Sequence, residues 1–287
     1  MKNEKIGLID VGGGLRDIFG AGVTDYLIDN NIEIPYTIGI SAGSANMASY
    51  ISKQKGRNRR FYEIYSMQKK YMGIDHLLKT GSYINFDYIY KELSNSNGLD
   101  SWDFNKAMKS NQEMIVVATN AKTGNCEYFY KRDFKEDNYG FFSASCSIPI
   151  LNKPYKFNNE EYIDGAISNP IPYEKAFKDG CTKLIIILTR PIDFRKENGR
   201  ESKFYKKWEK KYPNLIDKLY NRCNLYNEQL ESIIKISKEK NNILIIAPDH
   251  EDVDGLKTLT RDLEKLDNLY FKGYKKASLI KDFLKSN

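Results

Sequence analysis

A chain of 287 residues is long enough to bury a sizeable core, as one large domain or two small ones. Apolar residues make up 41% and charged residues 29%, as in soluble globular proteins, and the longest purely apolar runs are about five residues, such as 184–188. That excludes a membrane-spanning helix, which needs roughly 20 residues.

The start, MKNEKIGLID, is too short and interrupted in its apolar part for a signal peptide. Residues 5–10 read as a buried strand, Gly12–Gly14 as a turn and 18–28 as a helix. Tyr36–Ile40 is a second strand, followed by a helix of small residues at 42–51. Residues 53–110 contain no clear strand and read as a helical insertion with a loop near 94–98. Strand 113–121 returns through Thr123-Gly124 into 126–130 as a hairpin. Short, strongly apolar strands follow at 183–188 and 242–247. Residues 191–202 read as an exposed linker, and the chain from 203 to 287 is mostly helical. This alternation predicts one α/β domain over 1–287 with a mainly parallel sheet.

Charge and cysteines narrow the partners. The formal charge of +7 is spread along the chain, with crowding near Lys272, Lys275, Lys276, Lys281 and Lys285. The plain reading is a solvated lysine-rich surface; the sharper one is peripheral attraction to anionic membrane. No nucleic-acid-binding signature accompanies it. Cys126, Cys146, Cys181 and Cys223 are scattered with no CxxC pair, which predicts a reduced, cytoplasmic protein and no metal site.

Three segments carry chemistry. Gly39-Ile40-Ser41-Ala42-Gly43 is G-x-S-x-G between a strand and a helix, a turn that exposes a serine hydroxyl above a helix N-terminus. Asp10-Val11-Gly12-Gly13-Gly14-Leu15-Arg16 also joins a strand to a helix. Its glycine N–H groups suit an oxyanion hole. A dinucleotide loop is the competing reading, but Asp17 fails the pattern at the last glycine. Asp164-Gly165-Ala166 follows Tyr162-Ile163; by itself it reads equally as a turn or as a catalytic carboxylate. The only histidines, His76 and His250, lie in an amphipathic segment and a polar run, and read as surface residues.

DVGGGLR at 10–16, GISAG at 39–43 and DGA at 164–166, in that order, closely resemble the patatin-like phospholipase family, and most of all its bacterial YjjU-type members. GAGVTDYL, YMGIDHLLKTGS, FFSASCSIPI, DGAISNPIP and LTRP extend the resemblance over nearly the whole chain. It implies a three-layer α/β/α sandwich and cofactor-free hydrolysis of lipid or other acyl esters. Matched by motif, Ser41 is the nucleophile, Asp164 the base, and Gly12, Gly13 and Gly14 the oxyanion donors. Gly39, Gly43, Gly165, Ala166 and Arg16 complete the motifs; Arg16 also reads as a structural ion-pair partner. Asp17 stands where the family loop often carries glycine, and its charge suits a helix start. The insertion, with Tyr62, Tyr65, Met67, Tyr71, Met72, Leu77, Leu78, Tyr83 and Tyr88, either lines an acyl pocket or packs as ordinary helices. A catalytically silent lipid-binding protein is the second functional reading, and a nucleotide-binding domain the third.

Overall fold

The apolar runs become the strands of one sheet in a computed structural model that describes residues 4–199 and 203–286. The strands are β1 (Ile6–Asp10), β2 (Tyr36–Ile40), β3 (Glu113–Asn120), β4 (Cys126–Tyr130), β5 (Tyr155–Phe157), β6 (Glu160–Asp164), β7 (Lys183–Ile187) and β8 (Ile243–Ile246). Neighbours in the order β3-β2-β1-β7-β8 are parallel, while β4, β6 and β5 join antiparallel.

Burial on both faces explains the continuous apolar runs. Leu8, Ile185 and Ile187 point to one layer, and Ile9, Leu184 and Ile186 to the other. The first layer is built on α1 (Ile18–Asp29) and α2 (Ala42–Ile51), with the insertion beside them; the insertion includes α3 (Ile74–Thr80). After α4 (Gly140–Ser145), α5 (Tyr173–Lys178) and α6 (Pro213–Lys240) cover the second layer. Helix α7 (Leu263–Lys276) returns to the first, where it crosses α1. There a Cβ on Gly22 would stand 2.1 Å from the Tyr270 carbonyl oxygen, so the helices meet backbone to backbone. The fold is therefore the expected three-layer α/β/α sandwich.

The sequence reading missed the β5–β6 hairpin. These strands have three and five residues and mix charged with apolar positions, so they lack a strong period. Residues 191–199 are also not simply an exposed linker. Pro191 is buried, and Phe194 and Lys196 line a cavity; Arg200–Ser202 lie outside the described residues, as do Met1–Asn3 and Asn287. Among the described residues, no helix is long and apolar enough to cross a membrane.

Two of the five crowded C-terminal lysines are matched by acids. Lys272 lies 3.0 Å from Asp252, and Lys276 lies 2.7 Å from Asp249. This favours the plain, solvated-surface reading of that cluster.

Candidate active site

Strand β3 brings Ser41 and Asp164 together. Its residues 113–117 pair with β2, whereas residues 115–119 pair with β4 on the opposite edge. Strand β6 pairs at 118–120 and must therefore use the edge that β2 vacates when it turns off at Ser41. Ile40 stands opposite Val117 and Asp164 opposite Ala118, so Ser41, the residue after Ile40, leaves β2 where Asp164 comes alongside β3. Both line one cavity, with the Ser41 side chain among the groups that favour the Asp164 carboxylate.

Ser41 is held in a conformation that side chains rarely adopt, with φ 52° and ψ −129°. That sharp turn lets β2 pass directly into α2. It needs close approach behind it: a Cβ on Gly43 would lie 2.5 Å from the Asp10 carbonyl oxygen, and one on Gly39 would lie 2.4 Å from the Ser44 Cα. The Ser41 N–H donates to Ser145 Oγ at 2.8 Å, and the Asp164 N–H donates to the Ser147 carbonyl at 3.0 Å. One short segment at the end of α4 thus clamps both residues. Sequence reasoning quoted this segment within FFSASCSIPI but gave it no role; its alternating serines were the available signal.

Burial raises the Asp164 carboxyl above its ordinary 3.8. A hydrogen bond from the Ala166 N–H, contact with Ser41, and the charges of Lys196 and Arg222 pull the other way. A second nucleophile-type side chain beside Ser41 is Cys146, which lines an apolar cavity. Burial pushes its thiol up to about 12, so it stays protonated at neutral pH. His250 is exposed and pairs with Asp193 at 2.7 Å; His76 is on α3, and neither lines a cavity with Ser41.

The glycine loop is suspended beside Ser41. Thr189 Oγ1 donates to the Gly12 carbonyl at 2.6 Å, and the Leu15 N–H donates to the Thr258 carbonyl at 2.7 Å. Gly12, at φ 69°, turns its own N–H back to Asp10 Oδ1 at 3.1 Å. This narrows the expected donor set, because only the Gly13 and Gly14 N–H groups lack a partner among the described residues. Arg16 is buried and donates to the Thr189 carbonyl and to Thr258 Oγ1, at 3.4 and 3.3 Å. It has no ion pair among the described residues, so the ion-pair expectation is not met.

Asp17 also departs from expectation. It is fully buried against Asp10, and neither of its oxygens meets a donor with good geometry among the described residues. Burial and the Asp10 charge raise its carboxyl well above the usual range. Burial thus favours its uncharged form beneath the loop, in place of the exposed charge expected at the start of α1.

Two cavities flank Ser41. One is narrow, about 80 Å³, and lined mainly by apolar and aromatic side chains including Leu15, Phe61, Tyr62, Tyr71, Ile84, Phe86 and Tyr90. Two π-helical turns, Phe61–Tyr65 and Tyr88–Leu93, present several of these rings. Of the insertion residues singled out by sequence, only Tyr62 and Tyr71 line it. Tyr65, Met67, Met72, Tyr83 and Tyr88 pack in the core, while Leu78 is exposed. The other cavity, about 290 Å³, is polar and holds Asp164, Arg16, Arg190, Lys196 and Arg222. Among the described residues, no group of His, Cys, Asp and Glu is arranged to hold a metal ion.

Residues 11–177 match the family model for patatin-like phospholipases, and residues 212–285 match a domain of unknown function, DUF6363. YjjU of Escherichia coli (strain K12) is 26% identical over 190 residues, 65% of this chain and 52% of YjjU, so the chain spans about half that relative's length. The probable lipid hydrolase 463L of Invertebrate iridescent virus 6 is 25% identical over 96% of this chain and 88% of its own length. Lysophospholipase NTE1 of Meyerozyma guilliermondii is 24% identical over 96% of this chain but only 19% of its own length. Among solved structures, VipD from Legionella pneumophila aligns with 97% of this chain and 67% of its own, at a TM-score of 0.47 and 13% identity.

Proposed function

Because the chain belongs to the patatin-like phospholipase family, we propose that it is a serine hydrolase of lipid acyl esters, working through a Ser41–Asp164 dyad without histidine. The observation that carries this reading is the adjacency of the two residues along one edge of β3, where both line one cavity. The names of the viral and yeast relatives, a lipid hydrolase and a lysophospholipase, support the substrate class.

Asp164 accepts the Ser41 proton as Oγ attacks the ester carbonyl carbon. The Gly13 and Gly14 N–H groups, joined by that of Ala42 at the start of α2, receive the oxyanion. The alcohol leaves with the proton from Asp164. Water then attacks the acyl-enzyme, Asp164 takes its proton, and Ser41 is regenerated as the carboxylic acid departs. An aspartate is ordinarily a weak base at neutral pH. Burial strengthens it here, as the raised carboxyl indicates.

A fluorophosphonate probe followed by peptide mass spectrometry tests the nucleophile. Labelling is expected at Ser41 and absent in Ser41→Ala. A wild-type protein that neither labels nor cleaves a p-nitrophenyl ester would be the silent lipid-binding protein instead.

Four free cysteines fit a cytoplasmic location. We further infer peripheral docking on anionic membrane through α3, whose Ile74 and Leu78 are exposed beside Lys69, Lys70 and Lys79. Tyr71 and the Met72–Ile84 bridge link this surface to the apolar cavity. The protein is expected to float with anionic vesicles and less with neutral ones, and Ile74→Asp/Leu78→Asp to stay in the soluble fraction. Equal absence of the wild type from both vesicle fractions would rule docking out.

A further inference from the structure

The two cavities meet at Ser41 and differ in kind. An ester bound across that serine places its acyl chain on one side and its alcohol on the other. The apolar slot suits the acyl chain, which leaves the polar chamber for the alcohol. That chamber gathers Arg16 from the glycine loop, Arg190 and Lys196 from the segment after β7, and Arg222 from α6. Among the described residues, only Asp164 and Glu197 bring acid to it.

Arg16, Arg190 and Lys196 have no carboxylate in ion-pair reach among the described residues. Instead Arg190 stacks over Phe194 at 4.9 Å, and the Lys196 ammonium stands 3.9 Å from the centre of the Tyr226 ring. These contacts orient the cations without neutralising them. The groups also oppose one another. Burial and the nearby Arg190 charge hold Arg16 down at about 10, and burial and the Arg222 charge hold Lys196 down at about 8. Arg16, Arg190 and Lys196 thus present like charges in one half-closed chamber, and guanidinium groups match the terminal oxygens of a phosphate.

We propose that Arg190 and Lys196, with Arg16, form a headgroup site that selects acyl esters whose alcohol carries a phosphate monoester. This inference rests on the dyad reading of Ser41. Arg190 and Lys196 lie outside both matched spans, 11–177 and 212–285, whereas Arg16 lies within the first. A choline-capped phosphate is a poorer fit, because its quaternary ammonium would enter a chamber already rich in cations.

The test uses the full-length enzyme and three dispersed substrates with one common acyl chain: an acylglycerol 3-phosphate, an acylglycerophosphocholine and an acylglycerol. kcat/KM is expected to be higher for the phosphate monoester by about tenfold or more, the factor that about 1.4 kcal/mol supplies. Arg190→Gln, at a half-buried position, is expected to shrink that ratio. If this variant melts early, the wild type alone decides: glycerol 3-phosphate should inhibit p-nitrophenyl ester cleavage competitively, and more strongly than inorganic phosphate. Equal inhibition by inorganic phosphate assigns the chamber to free phosphate and overturns the headgroup site. Ester cleavage with no preference for the phosphate monoester also overturns it while leaving the dyad intact. Absence of both labelling and cleavage overturns the dyad first.

Discussion

Asp164→Asn is expected to lower kcat for a neutral ester roughly a thousandfold, whereas His76→Ala and His250→Ala remain near wild type. Asparagine preserves the volume and can still accept the hydrogen bond from the Ala166 N–H, at 2.9 Å in the wild type, but it cannot take the serine proton. The pH profile adds a second signature. Burial raises the Asp164 carboxyl above 3.8, so its working, deprotonated form is lost as pH falls through that raised value. Wild-type kcat/KM should therefore rise from acidic pH to a plateau, and the limb should vanish from the residual activity of Asp164→Asn. A histidine variant that lost as much as Asp164→Asn, or an asparagine variant that kept its activity, would contradict the dyad.

Gly13→Ala is expected to reduce kcat about a hundredfold to a thousandfold with little change in KM, the scale of one lost oxyanion donor. Its Cβ would lie 2.2 Å from Thr189 Oγ1, the hydroxyl that anchors the loop through the Gly12 carbonyl. The loop must shift to make room, which turns the Gly13 and Gly14 N–H groups away from the developing charge. The melting temperature serves as the control for folding, and wild-type kcat in a folded Gly13→Ala protein would remove this loop from the reaction.

Much of the fold was legible because both faces of the central sheet are buried. Residues of β1, β2, β3, β7 and β8 form near-continuous apolar runs, a pattern that local sequence carries directly. The serine turn and the glycine loop were equally visible, since close backbone approach demands small residues in fixed places. What stayed hidden depends on pairing between distant segments. The β5–β6 hairpin is too short to show a period, yet it delivers Asp164. The Gly12 N–H looked like an oxyanion donor until the fold put Asp10 Oδ1 beneath it. Lys196 read as part of a charged linker, because nothing local indicates that its ammonium rests on the Tyr226 ring.

The use of a single strand to position both residues of the proposed dyad would separate the chemistry of this molecule from its choice of substrate. Ser41 follows the last β2 residue paired with β3, and Asp164 pairs with β3 one row further on, so most of the chain between them can be rebuilt without altering their mutual distance, provided that strand and the α4 clamp are kept. The insertion that walls the apolar slot is one interchangeable part, and the segments bearing Arg190, Lys196 and Arg222 are another. Exchanging either between homologues offers a route to new specificity on an unchanged hydrolytic centre, with the alignment of β3 as the one dimension that such grafts must conserve.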